Sequence, residues 1–437
     1  MRKFAVCAFA ALIGWAGMAS AVDVRELQAK LAAQEAALND IEAKMSAENG
    51  DGTPEQMTSM RKNAKVTIGG LVTTGYFYTQ GKVKEPNGAG GFTKTVDAKG
   101  GSLEVSDAEL ELEIEVNEHM DAYLLMDFHA TATENYGTAK AYWVRWKNIC
   151  ESGFGIKVGR DSLVFGDGDA QVGYLDGFAQ SSGDSIARWD ENGWVAPHNV
   201  WDIDGVTQIT PYWEGFDGKL LLETSFMAHI WNDEVNLNGG GDSTRNYIRN
   251  GVAYQHSRNY GLGTMSARAT WTPIEDLRFS ASVVNYHTNG TSEAWDNEYG
   301  RDDYDFAKNN TAAALSFTWR PCFFNKMNIW GQYIHGWNVA HIDDAKSDVV
   351  NFGVSFDLTE KLTAFAQGDY MRVSYDRTDG KFKQNAWAAY VGLIYDLGNG
   401  ATLEGGWRHE KLTDKLNGDK FGKVKSDTIY ATLGFEF

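Results

Sequence analysis

The sequence predicts an all-β protein: a transmembrane antiparallel β-barrel of 16 strands that follows a short N-terminal α-helical coiled-coil segment. From residue 65 onward, apolar and polar residues alternate with period two, which is the pattern of strands with two different faces. Short turns alternate with long loops along the same region, and the chain ends on an aromatic residue. Together these three observations are typical of barrels that present lipid on the outside and water on the inside.

The last strand shows the alternation most clearly. Its apolar face carries Ile429, Ala431, Leu433, Phe435 and Phe437. Its other face carries Thr428, Thr432, Gly434 and Glu436. The alternative is an ordinary edge strand at the end of a soluble sandwich. A terminal aromatic after alternating apolar residues looks like the signal that outer-membrane assembly machinery recognises, and this resemblance gives Phe437 the role of an assembly signal.

The N-terminal residues predict export. Arg2 and Lys3 precede an apolar run of about 14 residues, and Ala19-Ser20-Ala21 forms a small-x-small cleavage site. We expect residues 1–21 to be a signal peptide. The rest of the sequence holds no apolar run of about 18 residues, so we expect no membrane-spanning helix.

The charge of the chain excludes one class of partner. The formal net charge is −19 at pH 7, and removal of the predicted signal peptide takes away only basic residues. So acidic a protein should repel nucleic acid. Aromatic residues make up 13% of the chain and include 15 Trp, which suggests aromatic girdles at membrane interfaces.

Residues 22–46 form a separate predicted element, a periplasmic coiled-coil segment. Core positions, all apolar except Gln34, recur there at alternating spacings of three and four, as in a heptad repeat: Val24, Leu27, Leu31, Gln34, Leu38, Ile41 and Met45. A lone amphipathic helix is the alternative, and it would be only marginally stable in water. A trimeric coil would match the expected symmetry of the barrel. Residues 47–64 are a polar linker, and residues 65–437 are the predicted barrel.

Turn and loop positions give the strand count. Short turns are predicted at residues 117–121, 148–152, 214–218, 273–276, 321–325, 359–361 and 397–400. Long loops are predicted at residues 79–101, 131–139, 161–200, 232–261, 289–308, 337–346, 376–384 and 413–423. This arrangement connects 16 strands, and the count becomes 18 if residues 246–256 belong to strands. A barrel of 16 or 18 strands leaves an aqueous lumen, whereas the interior of a barrel of about eight strands is already filled by side chains.

The segment from residue 107 to residue 116 is the sharpest chemical feature. Its Glu, Leu and Ala residues favour a helix by composition, but its strict alternation requires a strand. In a strand, five carboxylates share one face: Asp107, Glu109, Glu111, Glu113 and Glu115. Charges facing lipid would be costly, so we expect these to line the pore. They form either a solvated inner wall or a column that attracts cations and repels anions.

Basic residues are expected on the same inner face of later strands. In the predicted register, the inward-pointing bases are Arg145, Lys147, Lys157, Arg268 and Arg278. Acids facing bases across the lumen would neutralise part of the acidic column and would set up a transverse field. These five side chains are therefore predicted to line the pore as well.

The end of the predicted fifth strand and the loop after it resemble the corresponding segment of a known family. Val158-Gly159-Arg160 is followed by Phe165-Gly166 and then by a long Gly- and Asp-rich stretch. This junction resembles the corresponding one of the phosphate-selective porin O and P superfamily, and the residues around Val66 and Thr272 are similar in style. The resemblance implies an outer-membrane barrel in which a loop after an early strand folds inward and narrows the channel.

Carried over to this chain, the constriction loop is residues 161–200. Its candidate constriction residues are Asp161, Asp167, Asp169 and Arg188. The chain departs from the family pattern, because anion-selective members present inward bases where the second strand here presents carboxylates. The expectation of phosphate selectivity is therefore not adopted.

The sequence gives little support to catalysis. Its nine histidines are scattered, and the chain has neither a His-Glu-x-x-His metal motif nor a Gly-x-Ser-x-Gly nucleophile motif. We therefore expect no enzyme activity, no cofactor and no metal site.

The preferred hypothesis is a homotrimeric general porin in the outer membrane of a Gram-negative-type bacterium, in contact with outer-membrane lipid. It would let small hydrophilic solutes or ions diffuse passively, with a preference for cations. One alternative is a structural barrel whose coiled coil tethers the membrane to the cell wall. Another is an anion- or phosphate-selective porin. Deleting residues 22–60 would separate the tether from the porin, because only the tether predicts loss of envelope attachment with unchanged permeability.

Overall fold

The computed structural model describes residues 65–86, 92–130, 135–162, 164–166, 206–227, 264–287, 307, 309–321, 326–338, 343–377 and 380–437. The strands are β1 (Lys65–Pro86), β2 (Phe92–Asn117), β3 (Met120–Ala130), β4 (Asn135–Trp146), β5 (Phe154–Asp161), β6 (Val206–Gly215), β7 (Leu220–Met227), β8 (Thr264–Ile274), β9 (Leu277–His287), β10 (Asn309–Trp319), β11 (Met327–Trp337), β12 (Lys346–Asp357), β13 (Leu362–Arg377), β14 (Gly380–Gly398), β15 (Ala401–Leu416) and β16 (Asp419–Glu436).

Each strand pairs antiparallel with its neighbours in the chain, and β1 pairs with β16 to close the barrel. The predicted antiparallel barrel of 16 strands is thus confirmed, and it closes without residues 246–256. Residues 246–256 lie outside the described ranges. So do residues 1–64, which contain the predicted signal peptide, coiled coil and linker. Among the described residues, no helix has the length and apolar character needed to cross a membrane.

The alternation along each strand separates the two faces of the wall. In β16, Ile429 is 61% exposed on the outer face, whereas the interior-facing Tyr430 is 3% exposed. In β1, Val66 and Ile68 are exposed on the outer face in the same way. The predicted faces of β1 and β16 are therefore confirmed.

The outer face forms an exposed apolar belt around the barrel. Its aliphatic members include Ile68, Val72, Val144, Val158, Ile209, Leu222, Val283, Leu315, Val350, Val391, Leu403 and Ile429. Exposed aromatic side chains flank the belt toward the end with short turns, namely Trp146, Phe154, Phe216, Trp271, Phe356 and Phe437. Others lie toward the opposite end, namely Tyr78, Trp337, Tyr370, Trp387 and Trp407. Apolar patches this large are unfavourable in water, since apolar area costs about 25 cal/mol per Å².

The seam of the barrel joins the two ends of the described chain. The N–H group of Gly70 donates to the carbonyl oxygen of Phe437 at 3.0 Å, and the N–H of Phe437 donates back to Gly70 at 3.1 Å. A Cβ at Gly70 would lie 2.7 Å from the backbone carbonyl oxygen of Glu109, so this position requires glycine. Further along the seam, the hydroxyl groups of Thr79 and Thr428 are 3.0 Å apart.

The end of the barrel with the long connections differs from the prediction. The loops predicted at residues 79–101, 376–384 and 413–423 are wrong, because the flanking strands continue through most of them as hairpins. β15 and β16 meet at a two-residue turn in which Asn417 and Gly418 have φ angles of 52° and 91°, as in a tight primed turn. Beyond the apolar belt the outer face of the strands becomes polar, while Val373, Tyr375 and Phe382 are buried on the interior face, so the pattern no longer resembles that of a lipid-facing strand.

The opposite end carries the short turns, as predicted. Asn399 and Gly400, with positive φ angles, connect β14 to β15. The turn between β4 and β5 contains a short 3₁₀ turn in which Asn148 and Cys150 also have positive φ. The described turns near residues 117, 148, 214, 273, 359 and 397 confirm the predicted positions. The two ends of the barrel therefore differ, with short turns at one and longer connections at the other.

Candidate functional site

An acidic strip, defined as Glu109, Glu111, Glu113 and Glu115, runs along the interior face of β2. The pairing of β1 with β2 sets this face, because Ile114 and Leu112 pair with outward-facing residues of β1. The glutamates pair with the interior-facing residues Leu71, Gly69, Thr67 and Lys65. Asp107 pairs with Thr73, but its side chain is not among those described.

The next strand adds two carboxylates that the sequence analysis missed. Asp121 of β3 lies directly opposite Glu115, and Asp127 lies opposite Glu109. Like charges directly opposite each other destabilise a sheet, so this part of the wall favours a nearby cation. The even spacing of Asp121 and Asp127, which places both on one face of a strand, was the signal that could have revealed both.

The acidic wall ends at β4. Arg145 of this strand and Lys147 just after it both form ion pairs with Asp121. Arg145 binds both oxygens of Asp121: Nε donates to Oδ1 at 3.0 Å and Nη2 to Oδ2 at 2.6 Å. Lys147 Nζ lies 3.2 Å from the same Oδ2. The predicted inward bases Arg145 and Lys147 therefore neutralise Asp121. Glu113 and Glu115 are exposed, and within the described ranges neither takes part in an ion pair.

Three further predicted bases also lie on the interior face. Lys157 of β5 forms an ion pair with Asp161 of the same strand. Arg268 of β8 binds Glu223 of β7, with its Nε donating to Oε2 at 2.8 Å. Arg278 of β9 pairs with Thr318 of β10. The bases thus follow the acidic strip around the wall, and Lys157 and Arg268 each lie against a carboxylate of their own sector.

The chain turns into the barrel directly after β5. Val164 is 2% exposed and Phe165 is 8% exposed. The N–H group of Gly166 donates to Ser282 Oγ of β9 at 2.8 Å, and Arg268 Nη1 of β8 donates to the Gly166 carbonyl at 3.3 Å. The inward segment, defined as Val164, Phe165 and Gly166, therefore lies against the interior face of β8 and β9.

Side chains of β6 hold the start of this segment. Gln208 Nε2 donates to the carbonyl oxygens of Asp161 at 3.2 Å and Ser162 at 2.8 Å. Ser225 of β7 in turn donates a hydrogen bond to Gln208 Oε1. This buried network fixes the direction in which the chain leaves β5.

Two glycines of the motif noted in the sequence have backbone conformations that favour glycine, and Gly159 is also required by the close approach of a neighbouring strand. Gly159 has a φ of 147°, and a Cβ there would lie 2.2 Å from the carbonyl oxygen of Tyr142. Gly166 has a φ of 67°, and its Cβ would lie 2.6 Å from Gln332 Nε2 of β11. Gly159 of the Val-Gly-Arg motif therefore permits the close contact between β4 and β5. Gly166 of the Phe-Gly motif permits the backbone conformation of the inward segment.

The remaining wall, from β9 to β16, is mostly uncharged. Its buried interior-facing polar residues include Ser280, Ser282, Ser316, Ser347, Asn351, Ser355, Gln367, Gln384, Thr428 and Thr432. The charged groups there are engaged locally: Arg408 forms an ion pair with Glu410, and the Tyr430 hydroxyl donates to Glu404 Oε1 at 2.8 Å. Asp369 of β13 likewise accepts a hydrogen bond from Asn351 Nδ2 at 2.6 Å. In the described strands, most of the interior charge other than these engaged groups and Arg278 of β9 therefore lies on β2 to β8.

Of the remaining predicted site residues, two lie within the described ranges and three lie outside them. Asp161 lies at the end of β5, where it pairs with Lys157, and Phe437 lies at the seam. Asp167, Asp169 and Arg188 lie beyond the described ranges, so their predicted role in a constriction stays a prediction.

The barrel is similar to solved outer-membrane proteins. The outer membrane channel DcaP of Acinetobacter baumannii matches with a TM-score of 0.57 and 11% identity, over 86% of this chain and 98% of that chain. OmpT, an outer membrane protein of Vibrio cholerae, matches with a TM-score of 0.51 and 9% identity, over 86% and 98%. No protein-family model and no curated protein matches the chain. At these identities the likeness establishes a shared barrel fold.

Proposed function

We propose that this protein is an outer-membrane porin, a water-filled channel for the passive diffusion of small hydrophilic solutes or ions, with a preference for cations. The observation that carries the proposal is a closed barrel of 16 strands with an apolar outer belt and a charged interior. DcaP, which shares the fold, is described as an outer membrane channel. The motif around Gly159 and Gly166 resembles the phosphate-selective porin O and P superfamily, whose members are also porins.

The outer belt supports a location in a membrane. A closed barrel leaves no strand edge unpaired, which is a requirement for strands in lipid. In bacterial outer-membrane barrels the short turns face the periplasm and the longer loops face outward. In this orientation residues 22–46 would project into the periplasm as a trimeric coiled coil. A homotrimer of barrels then follows as part of the proposal.

The acidic strip supports cation preference. Rings or columns of carboxylates raise the local concentration of cations and exclude anions. The bases Arg145 and Lys157 are matched by Asp121 and Asp161, so they contribute little net positive charge to the bore. Glu113 and Glu115 keep their charge exposed to the interior.

The inward segment supports a narrowed bore. Val164, Phe165 and Gly166 are buried within the barrel rather than outside it, and the hydrogen bonds of Gly166 reach β8 and β9. A chain held across part of the interior reduces its cross-section. The pore would then discriminate by size as well as by charge.

Planar-bilayer recording of the purified full-length protein in a KCl gradient tests this function. We expect stepwise conductance, in groups of three for a trimer, with a reversal potential that favours K⁺. A reversal potential that favours Cl⁻ would support an anion-selective porin instead. Folded protein that shows no conductance would contradict the channel and favour the structural tether.

Loosening the inward segment should change the conductance. The double variant Ser282→Ala and Arg268→Gln removes both hydrogen bonds to Gly166. Each lost buried partner costs about 1–3 kcal/mol, so we expect the segment to leave its position and the single-channel conductance to rise. Ser316→Ala, which changes an interior serine of β10 instead, is the matched control. An unchanged conductance in the double variant would show that the segment does not limit the bore.

A further inference from the structure

The interior face of β12 and β13 carries two amide side chains that are held by one carboxylate. Nδ2 of Asn351 donates to Oδ1 of Asp369 at 2.6 Å, and Nε2 of Gln367 donates to the two oxygens of Asp369 at 3.2 Å and 3.4 Å. An ionised carboxylate only accepts hydrogen bonds, so each amide turns its nitrogen toward Asp369 and its carbonyl oxygen away. Asp369 therefore fixes the direction of both carbonyl groups.

Both carbonyl oxygens are buried and lack a donor. Within the described strands, neither Oδ1 of Asn351 nor Oε1 of Gln367 accepts a hydrogen bond. Asn351 is 9% exposed and Gln367 is 4% exposed, so bulk water does not reach these atoms. A buried acceptor without a partner is costly in free energy, and folded proteins retain few of them. Two such acceptors side by side therefore point to a ligand that donates hydrogen bonds.

The indole N–H group of Trp330 lies at the same place. Trp330 of β11 is 0% exposed, and its Nε1 also has no partner in the described part of the chain. Its ring lies across Gly353 of β12, because a Cβ there would be 2.0 Å from Cζ2 and 2.7 Å from Nε1 of Trp330. Gly353 pairs directly with Gln367 and is two residues from Asn351. One donor and two acceptors without partners thus surround one glycine.

Aromatic rings lie beside these polar atoms. Tyr390 of β14 pairs directly with Gln367, and it forms one buried cluster with Trp330, Phe365 and Ala388. Apolar rings next to a few fixed hydrogen-bonding groups are the usual composition of a small-molecule site. We define the amide site as Trp330, Asn351, Gln367, Asp369 and Tyr390.

The amide site lies next to the inward segment. Gln332 of β11 pairs directly with Asn351, and a Cβ at Gly166 would lie 2.6 Å from Nε2 of Gln332. The wall around the site is mostly uncharged, with Ser316 and Ser355 among its buried polar residues. A solute that passes the inward segment on this side of the bore meets hydrogen-bonding groups rather than the acidic strip.

We propose that the amide site binds a neutral polyhydroxylated solute, a sugar or a similar polyol. A hydroxyl group both donates and accepts hydrogen bonds, so neighbouring hydroxyls can donate to Asn351 and Gln367 and accept from Trp330. The C–H groups of a sugar ring are apolar and can pack against an aromatic ring. Because the site is buried, a ring must turn aside when the solute enters. This names a solute class for the proposed porin and rests on that function.

A metal cation fits the amide site less well than a sugar. Carbonyl oxygens do coordinate cations, and the carbonyls of Asn351 and Gln367 could take part. The N–H group of Trp330 is a donor only, and its positive end would face the cation. A hydroxyl group satisfies all three side chains, whereas a cation satisfies only the two carbonyls.

Titration of maltose against the KCl current of the full-length protein in planar bilayers tests the proposal. Bound maltose occupies part of the bore, so the conductance should fall to a plateau as its concentration rises. The double variant W330F/Q367L removes the donor and one acceptor. Each neutral hydrogen bond contributes roughly fivefold in affinity, so this variant should bind maltose on the order of thirtyfold more weakly.

The matched control is W143F/Q384L, which makes the same two changes elsewhere on the interior face. It should bind maltose like the unaltered protein, and both variants are first shown to migrate as folded barrels on unheated gels. Equal maltose affinity of the two double variants would overturn the proposal. A change in current on replacing K⁺ by Na⁺ that requires Trp330 and Gln367, without any effect of maltose, would assign the site to a cation and also overturn it.

Failure of the porin function is distinguishable from failure of the amide site. If the folded protein conducts no ions, isothermal titration calorimetry with maltose still measures binding. Heat of binding that W330F/Q367L loses and W143F/Q384L keeps would support the site without a channel. The absence of any heat with the unaltered protein would overturn the site.

Discussion

Replacing Glu111 and Glu113 by glutamine is expected to lower the K⁺/Cl⁻ permeability ratio roughly tenfold. In water, a unit charge about 6 Å away contributes about 0.7 kcal/mol to the energy of a passing ion, and screening at about 0.1 M salt lowers this to about 0.4 kcal/mol. Removing two charges shifts the energies of K⁺ and Cl⁻ in opposite directions, so their difference changes by about 1.5 kcal/mol, which is roughly tenfold in the ratio. The ratio would be measured from reversal potentials in a KCl gradient. The effect should shrink as salt rises, because the screening length falls to about 3 Å at 1 M.

The control for this experiment changes the net charge equally at another place. Glu118 and Glu360 are exposed in turns at the short-turn end, and Glu118→Gln with Glu360→Gln should leave selectivity nearly unchanged. Equal selectivity in all three proteins would show that the acidic strip is only a solvated wall.

Gly159→Ala is expected to destabilise the barrel by on the order of 3 kcal/mol. Two costs combine: the φ of 147° is strained for any residue with a Cβ, and that Cβ would lie 2.2 Å from the carbonyl oxygen of Tyr142. Strand β5 would have to move away from β4, which would also disturb the exit toward the inward segment. Urea unfolding in lipid vesicles, followed by tryptophan fluorescence, would measure the loss.

The matched control is Gly368→Ala in β13. The nearest atom to its added Cβ is the carbonyl oxygen of Ala388 at 4.0 Å, with no positive φ. We expect this variant to be as stable as the parent protein or more stable by a few tenths of a kcal/mol to about 1 kcal/mol. Equal stability of the two glycine variants would refute a special requirement at Gly159.

The sequence predicted the architecture well where one face of a strand meets apolar surroundings. Ile429 and Val66 alternate with interior-facing residues because burial and exposure differ sharply across the belt, and the same contrast revealed the acidic strip of β2. Beyond the belt the outer face is polar, as next to Asn417 and Gly418, so continuous strands resembled loops.

The pairing of charges could not be predicted in the same way. Arg145 was expected to face inward, but its partner Asp121 was assigned to a turn, because a contact between strands depends on their register. The inward segment was expected only through resemblance. Its anchors Ser282 and Arg268 lie more than a hundred residues further along the chain, and local periodicity carries no information about contacts at such a distance.

The hydrogen bonds between Gly70 and Phe437 have a consequence for the order of folding. They join the first described strand to the last residue, and Thr79 meets Thr428 across 349 positions of sequence. Contacts of such separation form late, because a long stretch of chain must be ordered first. The barrel can close and separate its lumen from lipid only after β16 has paired with β1. Until that moment β1 presents a free edge, which assembly in the cell must shield from other chains.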